Sequence, residues 1–130
     1  METLHEDELW KISYNPSKNY IKTEWTGKAL SDQDFDVKTQ LIIQFMEQYQ
    51  PKAFLADAAK FNYVIIPEKQ DWHNGILFPI FKKVGLGKMA IITPEDFFSQ
   101  ISIKQAYDEE YDFATQYFAS EEEAMKWLEV

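Results

Sequence analysis

The chain has 130 residues, 45% hydrophobic and 16% aromatic, enough for one domain with a sizeable core and too apolar for disorder. It contains no cysteine, which excludes disulfides, thiolate metal sites and cysteine nucleophiles. The net charge is −9 and every basic residue is lysine, so neither a phosphate backbone nor a two-pronged guanidinium site for phosphate or carboxylate is expected.

The start, Met1 to Glu8, is acidic and polar, unlike a signal peptide, and no apolar run reaches the roughly 20 residues that span a bilayer. A soluble cytoplasmic protein is the expectation. Trp10, Ile12 and Tyr14 alternate with polar residues, as do Ile21, Thr23 and Trp25, which predicts two half-buried strands. Asn15-Pro-Ser-Lys-Asn19 supplies the turn of an antiparallel hairpin, and Gly27 closes it. Ser31 then caps a helix with Asp32 and Asp34 in its first turn. Phe35, Leu41, Ile42, Phe45, Met46 and Tyr49 form its buried stripe, and Pro51 stops it at Gln50.

The centre of the chain is a strand–helix–strand unit long enough for a parallel crossover. Lys52 to Asp57 is apolar on both faces, as is Lys88 to Thr93, and a helix from about Pro67 to Val84 separates them. Its stripe is read as Trp72, Ile76, Ile80 and Val84, widened by Leu77 and Phe81, with a kink at Pro79 and a left-handed end at Gly85. Asp57 stands at the carboxyl edge of its strand, where open α/β sheets place their sites. The following loop carries Phe61, Tyr63, Val64, Ile65 and Ile66, too apolar for an ordinary connection. It either tucks onto the core or forms a dimer face or ligand wall. Thr93 is expected to cap a helix from Pro94 to about Glu110. A strand at Phe113 to Phe118 and a helix opened by Ser120 and Glu123, burying Ala124, Trp127 and Leu128, complete the chain.

No motif for catalysis, metal or cofactor stands out. Asp57, Asp71 and His73 offer a loose acid–base set, but residues two apart on a helix point in different directions. Gly85-Leu-Gly-Lys88 lacks the spacing of a phosphate loop and precedes a strand, so it reads as a helix end.

The order of elements resembles a STAS domain, and more closely the SpoIIAA-like (STAS/SEC14-like) small bacterial proteins. The resemblance is carried by Ile12-Ser-Tyr-Asn-Pro16, Tyr20-Ile-Lys-Thr-Glu-Trp25, Lys52 to Asp57, Leu77-Phe-Pro79, Gly87 to Ile92 and Ser120 to Leu128. It implies a mixed sheet, an N-terminal hairpin joined to parallel βαβ units, with helices packed mainly on one face. It also implies a non-catalytic regulatory or protein-interaction module. STAS antagonists carry a phosphorylated serine at the helix start after the central strand. The stretch from Asp57 to Pro67 has no serine or threonine, so no phosphosite is carried over.

The expected partner is a protein, with self-association as a homodimer, through a surface or pocket including Asp57, Phe61, Tyr63, Val64, Trp72 and Phe78. The alternative is a small apolar, lipid-like ligand held between the kinked helix, the aromatic loop and the sheet. Neither nucleic acid nor a membrane span is expected.

Overall fold

The alternating segments fold as strands and the three-and-four-spaced segments as helices in a computed structural model that describes residues 1–93 and 113–130. In chain order these are β1 (Glu2–Glu6), β2 (Trp10–Asn15), β3 (Tyr20–Trp25), α1 (Asp32–Tyr49), β4 (Ala53–Asp57), α2 (Pro67–Val84), β5 (Lys88–Ile92), β6 (Ala114–Phe118) and α3 (Glu121–Leu128). The expected helix from Pro94 to Glu110 lies outside the described residues.

The six strands form one mixed sheet in the order β1-β2-β3-β4-β5-β6. The first three pair antiparallel, and β3, β4, β5 and β6 run parallel. Phe54 and Ile91 sit on neighbouring parallel strands, Phe54 opposite Met89 and Ala56 opposite Ile91, as the two apolar runs demand. On one face Trp10, Ile12, Ile21, Phe54 and Met89 pack under α1 and α2. Their alternates Tyr20, Ala53, Leu55, Ala90 and Ile92 form a smaller cluster with Ala124 and Leu128 of α3 on the other. The two long helices thus share a face, and among the described residues the short last helix covers the reverse.

The helix ends follow their local chemistry. Ser31 accepts from the Asp34 amide while the Asp34 carboxylate accepts from the Ser31 amide, a reciprocal capping box. Gln50 closes α1 in the left-handed region at φ 47°, its amide donating to the Met46 carbonyl at 2.9 Å, and Pro51 bars a further helical turn. Gly85 takes φ 81°, and the Leu86 amide reaches back 2.9 Å to the Phe81 carbonyl, closing α2. Helix α2 continues through Pro79, which lies with Gly75 on its exposed side, where water can serve the freed carbonyl.

Several side chains depart from the sequence-based expectation. β1 was not foreseen, because Glu2-Thr-Leu-His-Glu6 has no apolar alternation; its ladder with β2 and an ion pair beyond its end hold it. The stripe of α2 is rotated: Leu77, Phe78, Phe81 and Val84 are buried, whereas Trp72, Ile76 and Ile80 are half-buried. From Ile76 to Phe81 the helix is apolar nearly all round, so spacing alone does not choose its inner face. Trp127 is half-buried, with the Lys88 ammonium 5.4 Å from its ring centre. In α1, Lys38 and Thr39 join the buried stripe.

Candidate functional site

A cavity of about 570 Å³ lies between the sheet and the two long helices, towards the carboxyl ends of the parallel strands. Side-chain size explains it. At the amino end, Phe54, Phe78, Phe81 and Phe113 pack with ring centres 5.4–5.9 Å apart, edge to face except for the tilted pair Phe78 and Phe81, and hold α2 off the sheet. One step along the strands the row becomes Thr23, Ala56, Ile91 and Tyr117, with Ala58 beyond. Two alanines and a threonine do not fill the height set by the phenylalanines, and the difference is empty space.

The roof comes from His73, Leu77 and Phe78 of α2, with Gln70 and Asn74 at the rim, and Phe35 and Ile42 from α1. The side wall is the apolar loop after β4. Its residues alternate as an extended segment does: Phe61, Tyr63 and Ile65 face the cavity and Asn62, Val64 and Ile66 face out. The loop is pinned to its surroundings. The Tyr63 hydroxyl donates to Asp32 Oδ1 at 2.6 Å, the Leu30 amide to the Asn62 carbonyl at 3.1 Å, and Phe61 meets Trp25 at 5.0 Å. The bond to the Asp32 carboxylate pushes the Tyr63 phenol up to about 12, so it stays a neutral donor.

Of the residues expected at the site, Phe61, Tyr63 and Phe78 line this cavity. Phe78, expected on an exposed patch, is 6% exposed because the rotated stripe turns it inward. Val64 is 85% exposed on the outer side of the loop. Trp72 lies outside the cavity under the Lys69 ammonium, 5.0 Å from its ring centre. Asp57 also stands apart from it, accepting the Ala59 amide at 3.2 Å. The acid–base set does not assemble: Asp71 is exposed, His73 pairs with Thr39, and no group of three potential ligands fit for a metal occurs among the described residues.

Two of the polar groups in the cavity wall belong to Thr93 and His73. Thr93 Oγ1 is buried and has no hydrogen-bond partner, and the helix it is expected to cap lies outside the described residues. His73 sits four residues before Leu77 and eight before Phe81, so it belongs to the inner stripe; that spacing was the signal in the sequence. Its ring packs 4.9 Å from Phe35, and burial pulls its pKa from 6.5 down to about 4. The unfolded chain therefore takes up the proton first as pH falls. Stability from this group is full above about 6.5 and declines as pH drops towards about 4. We expect a loss of about 2 kcal/mol between about pH 8 and pH 5, absent from His73→Gln, in urea unfolding curves. Equal slopes in both proteins would assign the proton elsewhere.

Among the described residues the cavity lining holds no charged side chain. The α/β sheet thus carries, at the carboxyl ends of its parallel strands, a hollow with aromatic walls and an uncharged described lining. Comparison with known proteins finds no matching protein family, curated relative or solved structure. No helix among the described residues is long and apolar enough to cross a membrane.

Proposed function

We propose that this protein is a non-catalytic binding domain whose cavity takes up a small apolar molecule. The single observation that carries this reading is the hollow of about 570 Å³ between sheet and helices, a size typical of ligand sites, with aromatic walls and no charge in its described lining. The neutral fluorophore N-phenyl-1-naphthylamine is expected to bind one per chain, with a Kd of about micromolar order and a rise in emission. Emission rising only linearly, without saturation, would sink the reading. Native mass spectrometry of protein purified from its own host then identifies a retained ligand.

The second reading is a STAS-like protein-interaction module. Support comes from the layered order of elements and from Val64 and Ile66, which are 85% and 56% exposed on the outer side of the loop that walls the cavity. Apolar side chains held in water by a pinned loop suit a contact with a second copy or another protein. The two readings are compatible, since a ligand touching Phe61 and Tyr63 presses on the inner side of the same loop.

A further inference from the structure

The hydrogen bonds around His73 fix which of its nitrogens carries the proton. Thr39 Oγ1 lies 2.9 Å from the Phe35 carbonyl oxygen and 2.9 Å from His73 Nδ1. A carbonyl can only accept, so the single proton of the Thr39 hydroxyl goes to Phe35. The same oxygen must then accept from His73, which puts the imidazole proton on Nδ1. Nε2 of the neutral ring keeps its lone pair, and no group among the described residues donates to it. His73 is part of the cavity wall, and so is Thr93, whose 5% exposed residue holds a hydroxyl without a partner. An apolar hollow with an unused acceptor and an unused hydroxyl is matched by a molecule that supplies their partners.

Resting on the apolar-ligand reading above, we propose that the natural ligand is an uncharged molecule with an apolar body and a hydroxyl group that donates its proton to His73 Nε2. Thr93 Oγ1 offers a second polar point for an oxygen elsewhere on the ligand. Thr39 is a positioning residue: it touches no ligand and acts by holding the imidazole in the accepting form. A carboxylate or ammonium is disfavoured, since no described lining residue compensates its charge.

Four naphthalenes of one shape separate these claims by calorimetric titration at about pH 7.5, where the naphthol is neutral. 2-Naphthol donates and accepts, 2-methoxynaphthalene only accepts, 2-methylnaphthalene does neither, and 2-naphthoate is an anion. The protein is expected to take the three neutral compounds and to reject the naphthoate. His73→Leu should weaken 2-naphthol about fivefold and leave 2-methoxynaphthalene within about twofold. Thr39→Val keeps the shape but removes the acceptor for Nδ1–H, which favours moving the proton to Nε2. The preference should then invert, with 2-naphthol weakened and 2-methoxynaphthalene strengthened.

If both variants bind the naphthol and the methyl ether in the wild-type ratio, the hydroxyl assignment is wrong while the apolar site stands. Naphthoate binding as tightly as naphthol overturns the uncharged class. Failure of all four compounds to bind removes the apolar-ligand reading as well.

Discussion

Ala56→Phe is expected to weaken N-phenyl-1-naphthylamine binding about 100-fold, some 2.7 kcal/mol, while leaving the protein folded. Ala56 lies in the floor of the cavity between Thr23 and Ile91 in the parallel register, and its methyl group is one reason that the floor is low. A phenylalanine there projects into the space the ligand needs. The new ring enters a hollow already lined by Phe54, Phe61 and Phe78. It therefore meets apolar partners, and the change in unfolding free energy should stay within about 1 kcal/mol. Circular dichroism and urea unfolding check the fold, and fluorescence titration checks the site. Unchanged affinity in a folded variant would move the binding site elsewhere.

Asp7→Ala should cost about 3–5 kcal/mol of stability, because it strands a buried ammonium. Lys38 rises from α1 with a side chain only 7% exposed, forms an ion pair with Asp7, and stands 5.2 Å from the Trp10 ring centre. Asp7 also accepts the amides of Leu9 at 2.8 Å and Trp10 at 3.1 Å, which fixes the turn from β1 into β2. Removing the carboxylate leaves these amides and Lys38 without that acceptor. The double variant Asp7→Ala/Lys38→Met removes both charges without restoring the turn acceptor and should recover much of the loss, since it carries no stranded charge. If the double variant is no more stable than Asp7→Ala, the cost lies in the turn and not in the ion pair.

Acid titration gives the same cluster an independent signature. Burial alone would raise the Asp7 pKa, but the Lys38 ammonium, the two amides and His5 outweigh it and hold the carboxyl well below its ordinary 3.8. A lowered carboxylate contributes its stability in full above 3.8 and loses it as pH falls further towards the folded value. The His73 effect is confined to the interval from 6.5 to about 4, so the two groups act in successive pH windows.

Much of the frame was legible in the residues. The alternation in Trp10–Tyr14 and Ile21–Trp25, the Asn15–Asn19 turn, and the doubly apolar runs around Phe54 and Ala90 each have one economical solution: a hairpin joined to parallel central strands. Ser31, Pro51 and Gly85 marked helix ends because their backbone or side-chain chemistry acts within a few residues. β1 escaped notice because its pairing comes from β2 and its anchor, Lys38, is 31 residues beyond Asp7. The inner face of α2 was misread because apolar residues surround the helix between Ile76 and Phe81.

The site was legible only in part. Phe61, Tyr63 and Phe78 were singled out as unusual apolar residues, and their common role as walls of one hollow depends on distances between elements. Thr93 carried no local sign of its importance, and for His73 the sign was its spacing of four and eight residues before Leu77 and Phe81. His73 acquires its accepting nitrogen from a threonine on another helix, and Thr93 is notable only because nothing pairs with it.

The sequence by itself determined most of the described elements, the ends of the two long helices, the parallel core and the absence of cysteine and arginine chemistry, because periodicity, capping and composition act over short stretches of chain. Tertiary structure decided where the large rings stand against the small floor residues, which face α2 turns inward, and which imidazole nitrogen is free. These depend on the packing height between layers and on hydrogen bonds between residues distant in sequence, and no local pattern encodes either.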